Sequence, residues 1–234
     1  MKALADQASK LTLSSRAFYN SHFGPFAQKI TSLFKYDMVL PMNTGAEAVE
    51  TAIKLSRKWA YQKKGIEQGK AIVFSVEGNF HGRTLGVIRQ ITLCGRHQHV
   101  IPDFICHPRS MSTDPDSRIG FGPYLPGVGP MFSDADSNER LIRYGVIEDL
   151  ERALEIHGSN TAAFLVEPIQ GEAGYGSTSH TSIFVLLTLT PSRIVVPPAG
   201  YLQKVRELCT KHNVLLICDE IQTVSFPLHL QNLS

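Results

Sequence analysis

Apolar positions recur along the chain with two different periods, and segments of each kind alternate. Between residues 46 and 60, Val49, Ala52, Ile53, Ser56 and Ala60 fall on one helical face, while Lys54, Arg57, Lys58 and Lys64 take the other and Gly65 provides a stop. The same spacing predicts a helix around Phe26, Ile30, Leu33 and Phe34, one over residues 147–156 closed by Gly158, and one over residues 199–212 with Leu202, Val205, Leu208 and Cys209 inward. Short unbroken apolar runs predict strands over residues 71–76, 162–166 and 214–218, the last read as fully buried. A further short strand is expected over residues 38–42, punctuated by Pro41. Strands alternating with helices give an α/β fold, a mostly parallel sheet with flanking helices.

Three tracts break this rhythm: residues 89–109, 175–193 and 224–234. A structureless loop of about 20 residues inside a compact domain is unusual. These tracts are therefore suspect as elements of the fold.

Composition changes this picture mainly by exclusion. At 234 residues with 43% hydrophobic and 19% charged, the chain can bury one large core. A net charge of +2 and a pI near 8.3, with Lys and Arg scattered, argue against nucleic acid or an anionic membrane as a partner. The longest apolar run, residues 183–189, is far short of the roughly 20 residues of a membrane helix, and no apolar signal core stands at the start. The expected compartment is the cytoplasm, with the mitochondrial matrix as the alternative if a targeting segment is missing. Cys94, Cys106, Cys209 and Cys218 follow no framework spacing, so reduced thiols are expected. Cys94, His97, His99, Cys106 and His107 are of zinc-binding type, but their spacing matches no standard finger and no metal site is expected.

Candidate chemistry gathers where predicted strands end. Open α/β sheets bind ligands at the carboxyl ends of their strands, which is where Asp219 and Glu220 stand; the alternative is the polar start of a surface loop. Thr44, Gly45 and Ala46 open the best predicted helix, so their N–H groups and the positive end of the helix dipole suit an anion, with Thr44 as a plain helix cap the alternative. Phe80, His81 and Arg83 follow the strand at 71–76: the ring can cover a planar ligand and the guanidinium can grip a carboxylate, unless the segment is only a glycine-bounded turn. Glu167 and Glu172 follow the strand at 162–166, giving a third polar cluster on the same edge.

Four segments in this order, Asn-Thr-Gly-Ala-Glu-Ala from Asn43, Gly-Asn-Phe-His-Gly-Arg-Thr from Gly78, Val-Glu-Pro-Ile-Gln-Gly-Glu from Val166 and Asp-Glu-Ile-Gln-Thr from Asp219, resemble the class III pyridoxal-phosphate-dependent aminotransferases. Within that class, residues 11–20, 39–50 and 200–223 resemble the ornithine aminotransferase branch. The resemblance implies part of an N-terminal segment over residues 1–37 and, over residues 38–223, the large domain of fold type I, incomplete here and interrupted at 89–109 and 175–193 by insertions such as retained introns would give, with 224–234 a tail of the same kind. It implies pyridoxal 5′-phosphate as cofactor, L-ornithine and 2-oxoglutarate as substrates and a homodimer or higher homo-oligomer. It implies that Asp219 pairs with the pyridine nitrogen and Gln222 bonds the phenolic oxygen. Ile221 and Phe80 cover the two ring faces with His81 beside them, and Thr44, Gly45 and Ala46 cradle the phosphate. Arg83, Glu167 and Glu172 are implied near the substrate. The family's Schiff-base lysine lies downstream of the Asp-Glu-Ile-Gln segment, and no lysine follows Lys211 in this chain. The chain as it stands is therefore expected to be inactive, as a noncatalytic fragment would be; another class III enzyme, such as an acetylornithine aminotransferase, is the alternative reading of the resemblance.

Overall fold

The structure, a computed structural model, describes residues 1–15, 17–82, 84, 87, 128–171 and 194–223. The tracts 89–109, 175–193 and 224–234, together with Arg83, Glu172 and the Cys94 to His107 group, lie outside the described residues. Five helices are described: α1 (Lys2–Ala8), α2 (Phe23–Phe34), α3 (Gly45–Trp59), α4 (Ile147–His157) and α5 (Tyr201–Lys211). Four strands, β1 (Ile72–Phe74), β2 (Val128–Gly129), β5 (Thr161–Val166) and β6 (Leu215–Cys218), form one sheet in the order β2-β1-β5-β6, every neighbouring pair parallel. β3 (Met131–Ser133) and β4 (Glu139–Leu141) make a separate antiparallel hairpin.

Side-chain alternation along the strands sorts the core into two halves. Phe74, Phe164 and Val166 face α4 and α5, packing with Leu150, Leu154, Val205, Leu208 and Cys209. Val73, Ala163 and Leu165 face the other way onto Val49, Ile53 and Ala60 of the α3 segment. Helices on both faces of a parallel sheet make the predicted α/β architecture, with every residue of β5 buried at its centre.

Three local expectations are corrected. Residues 38–42 form no strand; they pair with no ladder, Met38 and Leu40 are exposed, and Pro41 has no N–H to give. β6 is half-buried throughout because, among the described residues, it is the outermost strand of the sheet. Gly158 caps α4 as expected, at φ −55°, and a 3₁₀ turn, Gly158–Asn160, takes the chain into β5. Lys64 does not point to solvent with the other basic residues of its face. A π-helical turn, Ala60–Lys64, carries it inward, and its Nζ donates to the carbonyls of Gly158 (2.7 Å), Thr161 (2.8 Å) and His212 (3.1 Å). Three ammonium protons meet three acceptors, which ties the end of α4, the start of β5 and the end of α5 together.

Candidate active site at the carboxyl edge of the sheet

Because β1, β5 and β6 run parallel, the segments that follow them emerge on one edge. The N–H of Asp219 donates to the Val166 carbonyl (2.9 Å), continuing the β5–β6 pairing one residue past the strand and fixing where the carboxylate points. Oδ2 of Asp219 lies 2.6 Å from Nδ1 of His81, and Oδ1 accepts the N–H of Ile221 (3.1 Å). Both side chains are almost wholly buried, at 4% and 0% exposure, so the tautomer with a proton on Nδ1 lets an ionised Asp219 keep a partner away from water. His81 Nε2 is buried with no hydrogen-bond partner among the described residues.

The start of α3 comes to the same place. Thr44 adopts extended backbone and its hydroxyl accepts the N–H of Glu47 (3.1 Å), while the Glu47 carboxylate accepts the N–H of Asn43 (2.9 Å). This reciprocal cap satisfies the Glu47 donor and leaves the N–H groups of Gly45 and Ala46 at the helix end without intrahelical acceptors, as an anion site requires. Gly82, at φ +106°, brings the preceding turn so close to α3 that an added Cβ would sit 3.3 Å from the Cβ of Ala46. That turn is pinned from below: the Phe80 N–H donates to the Glu167 carboxylate (2.8 Å), and Glu167 is 2% exposed.

Gly45, Ala46, Phe80, His81, Gly82, Asp219, Ile221 and Gln222 line one cavity of about 80 Å³. Of the residues singled out in the sequence, Thr44 caps the helix beside it, and Glu167 bonds to Phe80 without lining it. Donor types suit a phosphorylated aromatic base: a helix end for the anion, a buried carboxylate for a ring nitrogen, and an aromatic ring. The space is smaller than the roughly 300 Å³ at which ligand pockets begin. The side chain of Ile221 takes up part of it, for a Cβ placed on Gly45 would lie 2.8 Å from Cγ2 and 2.9 Å from Cδ1 of Ile221.

Two supporting residues escape sequence reasoning. Tyr144 donates its hydroxyl to the carbonyls of Glu167 (3.1 Å) and Pro168 (2.8 Å), and burial pushes that phenol far above its usual pKa. Gln170 donates from Nε2 to the Glu77 carbonyl (2.8 Å), joining the segments after β5 and β1. Gln170 stood inside a quoted motif, but no local pattern marks Tyr144.

Comparison with known proteins agrees with this geometry. The model of the family described as aminotransferase class-III matches residues 1–224. An ornithine aminotransferase of Schizosaccharomyces pombe is 50% identical over 223 residues, covering 95% of this chain and 41% of the relative, and a mitochondrial ornithine aminotransferase of Arabidopsis thaliana is 47% identical over 224 residues, covering 95% and 36%. Among solved structures, an ornithine aminotransferase of Toxoplasma gondii superposes with a TM-score of 0.69 at 39% identity, over 95% of this chain and 40% of that one. An acetylornithine aminotransferase of Elizabethkingia anophelis gives 0.62 at 44% identity, over 95% and 41%. The chain thus spans about two fifths of the length of these relatives. A family model that covers nearly all of the sequence, on a parallel sheet whose carboxyl edge gathers the expected side chains, shows that this chain belongs to the class III aminotransferases.

Proposed function

We propose that the carboxyl edge is the pyridoxal 5′-phosphate end of an aminotransferase site, of the kind that moves the δ-amino group of L-ornithine to 2-oxoglutarate and yields glutamate 5-semialdehyde and glutamate. The observation that supports it most is the convergence of a helix end, a buried carboxylate and an aromatic side chain on one cavity from three separate segments. In this reading Gly45 and Ala46 hold the phosphate through their N–H groups, on a helix end that Thr44 keeps capped. Asp219, oriented by His81, takes the ring nitrogen and favours its protonated form. Phe80 and Ile221 cover the ring faces, and Gln222 bonds the phenolic oxygen. Arg83 grips a substrate carboxylate, with Glu167 and Glu172 as the acidic groups near it. Once bound, the cofactor supplies an electron-accepting ring next to the carbon from which a proton is removed.

No lysine follows Lys211 among these 234 residues, so the role proposed for them is confined to binding and orienting the cofactor. The likeness to an acetylornithine aminotransferase at 44% identity keeps that substrate as the second reading. A second copy of the chain is the proposed partner: α2 has no buried residue and exposes Phe23, Phe26 and Leu33. Cytoplasm is the proposed compartment, with the matrix as the alternative, as two plant relatives are named mitochondrial. No helix among the described residues is long and apolar enough to cross a membrane.

Titration of the chain with pyridoxal phosphate and with unphosphorylated pyridoxal tests the reading, followed by quenching of its single tryptophan, Trp59, on α3. The phosphorylated form is expected to bind at least tenfold more tightly, since a phosphate at a helix end gains charge-assisted hydrogen bonds. Equal affinities would remove the helix end from the site.

A further inference from the structure

We propose that Ile221 is a gate on the helix-end anion site, so that a phosphorylated ring enters only after the turn at 221–223 swings off Gly45. The inference rests on the cofactor reading above and adds a conformational step to it. Among the cavity's lining residues, most are fixed. Gly45 and Ala46 belong to α3, Phe80 is tied to Glu167, and His81 and Asp219 hold each other in the core. Ile221 and Gln222 are different: both are exposed, Ile221 at 49%, and both lie past the end of β6. Yet Ile221 packs against the Gly45 backbone closely enough to occupy the place of a side chain there, and Gln222 folds over Gly171 in the same way. Among the described residues, this contact and one hydrogen bond, from its own N–H to Oδ1 of Asp219 at 3.1 Å, hold this exposed apolar residue at the cavity.

That hydrogen bond couples the gate to the ligand. The Asp219 carboxylate has Oδ2 committed to His81 and Oδ1 to the Ile221 N–H. A protonated ring nitrogen is a stronger donor toward Oδ1 than a backbone amide. Once the turn has opened, the ring nitrogen and the phosphate fill the places that the Ile221 N–H and side chain held against Oδ1 and Gly45, and the bound ring holds the turn open. Closed and open turns are two states of one element, and ligand favours the open one by the difference in its contacts.

Stopped-flow mixing of the full chain with pyridoxal phosphate, read through Trp59, tests this in the unaltered protein: the observed rate should level off with concentration as gate opening becomes limiting. For Ile221→Ala the rate should instead climb linearly. Inorganic phosphate, which has no ring for Ile221 to cover, should bind Ile221→Ala roughly tenfold more tightly by calorimetry, as removal of a nine-to-one bias toward the closed form requires. A linear rate in the unaltered chain, with equal phosphate affinities and matching circular dichroism, would overturn the gate and leave the cofactor site standing. Absence of pyridoxal phosphate binding by both proteins would overturn the cofactor reading, and the gate with it.

Discussion

Asp219 and His81 form the contact on which the proposed site's chemistry would turn, because a buried carboxylate is costly to leave without a partner. Asp219→Asn preserves shape but removes the charge, and should weaken pyridoxal phosphate binding about 10- to 100-fold, by the value of a charged hydrogen bond. His81→Ala should weaken it as well while destabilising the chain by ~1–3 kcal/mol, readable in urea unfolding, since the carboxylate is left buried without its partner. Lys64 is a second charge, drawn partly into the fold away from the cavity. Burial pushes its ammonium down to about 8 from the ordinary 10.5. Its folded-state pKa is the lower one, so between pH 8 and 10.5 the folded chain holds fewer protons than the unfolded chain, and this group's contribution to stability should rise with pH across that window. Lys64→Met keeps the aliphatic stem but orphans three carbonyls, at a cost of about 1–3 kcal/mol, and should abolish that pH dependence; unchanged urea midpoints at pH 7 would contradict the tie. Its inward turn was not legible because its acceptors lie 94, 97 and 148 positions away, whereas the local pattern places it with exposed lysines.

At the scale of elements, α3 is best legible because local signals agree: a Thr44 cap, Glu47 three residues on, an apolar stripe and Gly65 in the left-handed region at φ +80°. Thr44→Ala should cost about 1 kcal/mol and, by fraying the helix end, weaken phosphate binding more than it lowers the urea midpoint suggests. β1 and β5 were legible for a different reason, being apolar on both faces; Phe164→Ala in the middle of β5 should cost ~3–5 kcal/mol in a denaturant titration. β6 carries the same apolar run yet is half-buried, because its place beyond β5 depends on strand order, which no single segment encodes. The β3–β4 hairpin was missed because its strands are three residues long, too short for a period-2 pattern to register. The site itself was legible as four short motifs at strand and helix ends. What joins them, Tyr144 under Glu167 and His81 on Asp219, is long-range contact that sequence order does not display.

For the whole molecule, the question is what two fifths of a class III aminotransferase can do by itself. Deleting residues 89–109 and 175–193, which interrupt motif-bearing segments, should raise soluble yield and resistance to protease; a less soluble product would show that the tracts belong to the fold. Sedimentation should find dimers or larger species through the exposed face of α2. The central claim is that the carboxyl edge of the sheet is a pyridoxal phosphate site, and a crystal structure of the chain with the cofactor tests it most directly. The account predicts the ring nitrogen about 2.7–2.9 Å from an Asp219 carboxylate oxygen, the phosphate on the N–H groups of Gly45 and Ala46, the ring against Phe80, and Ile221 moved off Gly45. A cofactor bound elsewhere, or bound here with its phosphate away from the start of α3, would contradict it.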